Sequence, residues 1–401
     1  MYINFVFLPE NAEICHAMKF PTYVIFFILF GVLPDFYLWE VVLDGAPLFW
    51  KIVVSLPTVV LLLALVLIGA VVRYSDAVRT FSYTMFVFEL PKAVLTLLSM
   101  TARKVPGLAP WVADTIGLVA AVALSLFFLR LIFYVTRTLE VDEEDLFFDR
   151  LPAPFDGFRI CQMTDFHLGS FSLTGNYVKT VVDTALSLHP DIIVFTGDLV
   201  NFESSEALPY REELSRLTAP MGVFAIRGNH DYLLHGHHNE KERRADMDAL
   251  LAFEESLGWR LLRNEHVMLN RDGASIALVG VDNISANPFF NKAGGDFPKA
   301  MEGLSREQFK ILLSHDPSHW RAEVLPEGST DLTISGHTHG LRYKLAGRHI
   351  SHWHLPESDG TYTENGRILH VSKGLGSAFS FRAGGFPEID MLTLRRSGKH
   401  D

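Results

Sequence analysis

Along the chain, apolar positions come in two rhythms. Up to about residue 140 they run almost unbroken: stretches 20–43, 52–72, 80–100 and 115–135 each approach the roughly 20 residues that a helix needs to cross a hydrocarbon core. The second, "IVVSLPTVVLLLALVLIGAVV", holds no charged residue. A helix apolar on every face over that length is a membrane span rather than a buried soluble helix. No small-residue cleavage site follows the first stretch, so it reads as a span and not as a removed signal. Four spans return both ends of this region to the same side.

From residue 158 the rhythm shortens to β-like runs separated by helix-length segments: "FRICQMTDFH", "DIIVFTGD", "GVFAIRGNHD", "IALVGVDN", "KILLSHDP" and "DLTISGHTHG". Helices are expected near 174–188 and 204–217, and the alternation predicts an α/β domain whose sheet is covered on both faces. Between the two rhythms, "EVDEEDLFFDRLPAP" reads as a solvated acidic linker punctuated by Pro152 and Pro154. The predicted organisation is a tail over 1–19, an all-α four-helix transmembrane region over 20–137, a linker over 138–157 and the α/β domain over 158–397.

Composition adjusts this picture in three places. A net charge of -11 without clustered Lys and Arg excludes nucleic acid as a partner. Only Cys15 and Cys161 occur, far apart, which leaves no disulfide framework and no zinc-finger spacing. The spans carry Asp35, Glu40, Glu89 and Lys92 at depth, and such charges must face partners or water. One reading is a structural pair of Glu89 and Lys92 at three-residue spacing, joined by Asp35. The other is a polar notch for a lipid headgroup, widened where Pro34 and Pro91 kink their helices.

The chemistry lies at the ends of the β-like runs. Each closes on Asp, Asn or His, often beside Gly, and ligands of open α/β sheets sit at the carboxyl ends of strands. Asp165, His167, Asp198, Asn229, His315, His337 and His339 form a set of imidazole nitrogens and carboxylate or amide oxygens with no thiolate. That set suits Mn, Fe, Zn or Co, manganese foremost, rather than an iron–sulfur cluster or a calcium cage. In an extended segment alternate side chains share a face, so His337 and His339 are expected to point together, as are Asp165 and His167. Gly336 and Gly340 keep Cβ atoms out of a crowded pocket, and Gly197 and Gly228 are expected to leave room for a phosphate. The tract "HGHH" over 235–238 reads as a solvated loop near the mouth.

The ordered series "TDFH", "TGDL", "GNHD", "SHDP", "GHTHG" resembles the calcineurin-like metallophosphoesterase superfamily over essentially all of 158–395, and within it the bacterial branch with membrane helices ahead of the catalytic domain. The resemblance implies a mixed two-sheet β sandwich flanked by helices. It implies two divalent metal ions, one on Asp165, His167 and His339, the other on Asn229, His315 and His337, with Asp198 bridging. By the same resemblance His230 faces the substrate phosphate and stabilises charge or protonates the leaving oxygen, and Asp231 orients it. Arg342, where the family often has Gln or a small residue, is expected either to meet a second anionic group of the substrate, since guanidinium matches phosphate geometry, or to stand as an ordinary surface arginine. Lys373 and Arg382, in the Gly-rich closing segment, are expected to line the cleft.

The function expected is a membrane-anchored binuclear phosphohydrolase that cleaves a phosphoester or pyrophosphate bond with a metal-activated hydroxide. Its partners would be membrane lipid and a phosphorylated, lipid-linked substrate. Residence is expected as a multi-pass protein of a bacterial inner membrane with the catalytic domain in the cytoplasm. Two alternatives stand beside this: a broad phosphodiesterase or nucleotide hydrolase of soluble substrates merely tethered to the membrane, and a non-catalytic sensor of metal or phosphate.

Overall fold

The unbroken apolar runs form four helices long and apolar enough to cross a membrane: α1 (Phe20–Val42), α2 (Leu48–Gly69), α3 (Tyr74–Ala102) and α4 (Pro110–Phe133). The computed structural model describes residues 20–397 except 73, 136–137, 172–175, 235–238, 289, 292–293, 341–343, 346–347, 350–355 and 379–384. The expected tail over 1–19, the "HGHH" tract, Arg342 and Arg382 therefore lie outside the described residues. Contacts divide the chain into two compact units, Met1–Arg130 with Leu234–Ala245, and Leu131–Leu233 with Asp246–Asp401.

In the helical unit, large apolar side chains such as Leu63, Val66, Val119 and Leu126 are exposed, as a lipid-facing surface requires. The charges at depth are paired. Lys92 Nζ lies 2.6 Å from Glu89 Oε2, 2.7 Å from Asp35 Oδ1 and 2.7 Å from Thr58 Oγ1. An ammonium has three donors, and all three are engaged. The contacts are those of a structural cluster rather than an open notch. Just ahead of Pro34 and Pro91 the backbone widens to five-residue bonding, Leu33 N to Ile28 O and Leu90 N to Met85 O, which absorbs the donor that proline lacks without a sharp break.

The second unit holds two mixed six-stranded sheets. One is built from β1 (Glu140–Phe148), β2 (Phe158–Met163), β3 (Ile192–Phe195), β4 (Val223–Ala225), β5 (Arg260–Leu261) and the last strand, β14 (Glu388–Arg396), in the order β1-β14-β2-β3-β4-β5. The other contains β6 (Glu265–Arg271), β7 (Ala274–Gly280), β8 (Lys310–Leu313), β9 (Leu332–Ser335), β12 (Gly360–Glu364) and β13 (Arg367–Val371), in the order β12-β13-β9-β8-β7-β6. A separate hairpin pairs β10 (Lys344–Leu345) with β11 (Arg348–His349). β2, β3, β4 and β5 run parallel in one sheet, as do β7, β8, β9 and β13 in the other.

Strand alternation explains the layers. Ile160, Ile192, Val194 and Phe224 point inward against Leu278, Ile311, Leu313 and Ile334, forming the core between the sheets. The opposite-parity residues Cys161, Met163, Ile193 and Phe195 pack under helices α5 (Tyr177–Ser187) and α6 (Glu240–Ser256) through Val181, Val182, Leu250 and Phe253. Ala277, Val279, Leu312 and Val371 cover the outer face of the second sheet with Trp320 and Phe297. This is the two-sheet sandwich flanked by helices.

Two expectations need correction. The acidic segment is not a free linker: Glu140–Phe148 is an edge strand parallel to β14, because Leu146 and Phe148 enter the core while Asp145 bonds to Arg395 at 3.0 Å on the other face. The helix expected over 204–217 is instead three short turns, Ser204–Glu206, Leu208–Tyr210 and Arg211–Leu214, where Pro209 denies an amide to a continuous helix.

Candidate metal centre

Every predicted ligand follows the carboxyl end of a strand: Asp165 and His167 after β2, Asp198 after β3, Asn229 after β4, His315 after β8, His337 and His339 after β9. Since those strands are parallel within each sheet, their loops meet at one edge of the sandwich. Ligand atoms of Asp165, His167 and His339 lie within 4.8 Å of one another, and so do those of Asp198, His315 and His337. A third grouping, His167, Asp198 and His230, links these two.

The loops reach this geometry through strained backbone, not through extension. Asp165, His167, Asp198, His337 and His339 all have positive φ, between 49° and 72°, a conformation that costs L-residues about 1 kcal/mol or more each. The expected side-by-side placement of His337 and His339 in an extended segment is thus replaced by two left-handed residues, which deliver their imidazoles to the two different groups. The glycines serve the same crowding. A Cβ at Gly228 would strike the Asp198 carboxylate, and one at Gly197 would strike the Gly228 amide. These two glycines admit each other's loops rather than reserve space for phosphate.

Each carboxylate has one oxygen held by backbone and one turned to imidazoles. Asp165 Oδ2 accepts from His337 N at 2.9 Å and Thr164 Oγ1 at 2.8 Å, while Oδ1 lies 3.7 Å from the Nε2 atoms of His167 and His339. Asp198 Oδ1 accepts from His230 N at 2.8 Å, and its Oδ2 lies 3.2 Å from His315 Nε2 and 3.6 Å from His167 Nε2. The far ring nitrogens are committed as donors: His315 Nδ1 to Thr196 O at 2.8 Å, His167 Nδ1 to Asn201 Oδ1 at 2.7 Å, His230 Nδ1 to Asn201 O at 2.9 Å. Each Nε2 is then the lone-pair atom in the neutral ring, the form a metal takes.

Do these residues fit divalent ions? Among the described residues, Asp165 Oδ1, His167 Nε2, Asn229 Oδ1 and His315 Nε2 are buried without a hydrogen-bond partner. Buried polar atoms are rarely left so. Three of them, on Asp165, His167 and His315, come together from both sheets beside Asp198, and all four are of the donor type that a divalent cation would satisfy.

Asn201 escaped the sequence reading. Its amide is fixed by donation to Ser170 Oγ at 3.0 Å, so its two oxygens orient two histidines at once. "TGDL" stops two residues short of it, and nothing in its own spacing marks it. Asn201→Ala should lower metal affinity about 10- to 100-fold, as loss of a ligand's orienting partner does. Isothermal titration of the stripped protein checks this.

Asp231 also differs from expectation. Its carboxylate does not touch the His230 ring; it accepts from the amides of Asp198 and Leu199, both at 2.8 Å, Gly228 at 3.0 Å and Val200 at 3.3 Å. It staples the two loops that carry Asp198 and Asn229. Burial, reinforced by the Asp198 charge, pushes its carboxyl up to about 6. Lys373 is buried and ion-paired with Glu388, its stem packed over Gly340, so it backs the histidine loop rather than standing in an open cleft.

Protons compete with metal for these donors. Burial alone would push the His315 imidazole down, but Asp198 overrides it and holds the group up to about 10. That raised value stabilises the cation-free fold fully below the unfolded value of about 6.5, and the contribution is lost as pH rises through about 10. A divalent cation bound there would displace the proton. Metal binding should therefore release protons near neutrality, and apparent affinity should rise with pH between about 6 and 9. Titrations in buffers of different ionisation enthalpy measure both effects, and pH-independent affinity would contradict the displacement.

Comparisons with known proteins fall on this half of the chain. The calcineurin-like phosphoesterase profile matches residues 158–341. The chain is 31% identical over 268 residues to the uncharacterized metallophosphoesterase YkuE of Bacillus subtilis, covering 64% of this chain and 86% of that one. It is 29% identical over 299 residues to UDP-2,3-diacylglucosamine pyrophosphatase LpxG of Chlamydia muridarum, covering 61% and 86%. It is 28% identical over 195 residues to the transmembrane protein with metallophosphoesterase domain of Danio rerio, covering 48% of this chain but only 42% of that protein. Likeness to a transmembrane protein accords with the four apolar helices, and this chain is a membrane protein.

Proposed function

This chain belongs to the calcineurin-like phosphoesterase family, a metal-dependent hydrolase of phosphoester or phosphoanhydride bonds, and from that membership we propose that it cleaves a lipid-linked pyrophosphate or phosphoester at a two-metal centre. The observation that carries the reading is the convergence of the buried, unbonded donor atoms of Asp165, His167 and His315 from both sheets beside the Asp198 carboxylate.

Asp165, His167 and His339 would hold one divalent ion, Asn229, His315 and His337 the other, and Asp198 would lie between them; manganese heads the candidates. When bound, such a pair supplies Lewis acidity, lowering the pKa of a water and neutralising phosphoryl charge. The rest falls to the chain. Asp231 fixes the loops that set the spacing, and Asn201 fixes the ring planes of His167 and His230. With Nδ1 committed to a carbonyl, His230 offers only Nε2 for proton exchange with the phosphoryl or leaving oxygen. Burial pushes its imidazole down to about 4. It rests neutral, and takes up a proton when an anionic phosphoryl group arrives.

The lipid-linked substrate is inferred from the four apolar helices, more than a tether requires, and from the activity named for LpxG. We place the chain as a multi-pass protein of a bacterial inner membrane with its catalytic unit in the cytoplasm; protease added outside spheroplasts should leave that unit intact. The activity test uses the full chain in detergent, stripped with EDTA and reloaded with manganese. An acylated sugar-nucleotide pyrophosphate should be hydrolysed with kcat/KM at least about tenfold above that of its deacylated counterpart, equivalent to about 1.4 kcal/mol of transition-state binding to the acyl chains. Equal rates on both would favour the tethered hydrolase of soluble substrates. Metal uptake without turnover on either would favour the sensor.

A further inference from the structure

The acidic run ahead of the catalytic domain faces more of its own charge. β1 pairs with β14 in a register that sets Glu140 opposite Glu388 and Asp142 opposite Asp390. Residues two apart on a strand share a face, so these carboxylates form one patch. Like charges directly opposite one another destabilise a sheet.

Two basic groups answer part of it. The Lys373 ammonium is ion-paired with Glu388 and lies 3.8 Å from Glu140 Oε2. The His370 imidazole lies 3.3 Å from Asp390 Oδ1 and 3.4 Å from Glu144 Oε2. Even with His370 protonated, Glu140, Asp142, Glu144, Glu388 and Asp390 outnumber the positive charges five to two among the described residues. Asp390 is 1% exposed, and among the described residues neither of its oxygens has a hydrogen-bond partner, its contact with His370 being an ion pair to Oδ1 alone. One oxygen from each of Asp142, Glu388 and Asp390 lies within 4.8 Å of the other two, so the unbonded Asp390 carboxylate is aimed into the group, while exposed Asp142 leaves it open to water.

We propose that Asp142, Glu388 and Asp390 hold a further divalent cation, distinct from the histidine-rich centre and bound through oxygen alone. Carboxylates with a water-filled side and no imidazole in the first ring of donors suit a hard ion, and calcium accepts such an irregular cage more readily than magnesium. Glu388 is shared: its Oε1 also accepts from Lys373 N at 2.7 Å, leaving a lone pair on each oxygen. The cation neutralises the patch and fastens the first strand after the apolar helices to its neighbour.

The test uses the full chain in detergent carrying Asp198→Asn, which disables the histidine-rich centre, stripped with EDTA and dialysed against radioactive calcium chloride. The expected result is one calcium per chain, with affinity at least about tenfold weaker when Asp142→Asn is added, because one of three charged donors is lost. Asp142 is exposed, so this change spares the fold, and by removing a like charge it should raise the melting temperature in EDTA. Calcium should raise the melting temperature of the parent and not of Asp142→Asn. Absence of calcium from the Asp198→Asn protein, or equal binding and equal calcium stabilisation with and without Asp142→Asn, would overturn the site.

Discussion

Asp198→Ala should empty the histidine-rich centre of both metals and lower kcat/KM by more than about 10³-fold. Its Oδ2 is the atom that faces imidazoles of both groups, His315 at 3.2 Å and His167 at 3.6 Å, while Oδ1 is tied to the His230 amide. Two cations close together repel unless an anion lies between them, so no other ligand can replace this one. Loss of a single electrostatic stabiliser costs about 10²–10³ in rate, and here two would go together. Removing the carboxylate also takes from His315 its nearest counter-charge and, among the described residues, leaves His167 only that of Asp165. Elemental analysis of the purified variant reads the metal directly. Retention of two ions per chain would refute the bridging role.

His230→Ala should behave oppositely: metal content unchanged, kcat lowered about 10²- to 10⁴-fold, the range for a positioned proton-transfer group. The His230 ring is anchored by the bond of its Nδ1 to Asn201 O, within reach of the Asp198 and His167 donor atoms, and stands against Phe202, with ring centroids 6.3 Å apart. The loss should be smaller for substrates with an acidic leaving group, whose departure needs no proton. An equal loss across leaving groups would assign His230 to charge stabilisation alone, and loss of metal would make it a ligand.

The candidate ligands are legible because each lies just after a parallel strand, and short apolar runs ending in Asp, Asn or His mark such strands even in one sequence. The same alternation exposed both outer faces of the sandwich, and unbroken apolarity exposed the four helices. What the sequence hid was set by distant partners. Glu140–Phe148 looks solvated until β14, about 250 residues later, supplies Arg395 for Asp145 and a core for Leu146 and Phe148. Asp231 sits beside His230 in the chain, yet it bonds to amides of the Asp198 loop, across a contact that Gly197 and Gly228 alone permit. Asn201 became visible only once two histidines were found on its two oxygens. The left-handed backbone at His337 and His339 left no sign in residue type, since histidine is no glycine and strain of this kind is imposed by the packing around it.

Anomalous diffraction from manganese-loaded crystals of the full chain tests the central claim most directly. The account predicts two peaks about 3.5 to 4 Å apart, one among Asp165, His167 and His339, the other among Asn229, His315 and His337, with the Asp198 carboxylate touching both. A single peak, or a pair that leaves Asp198 untouched, would contradict it.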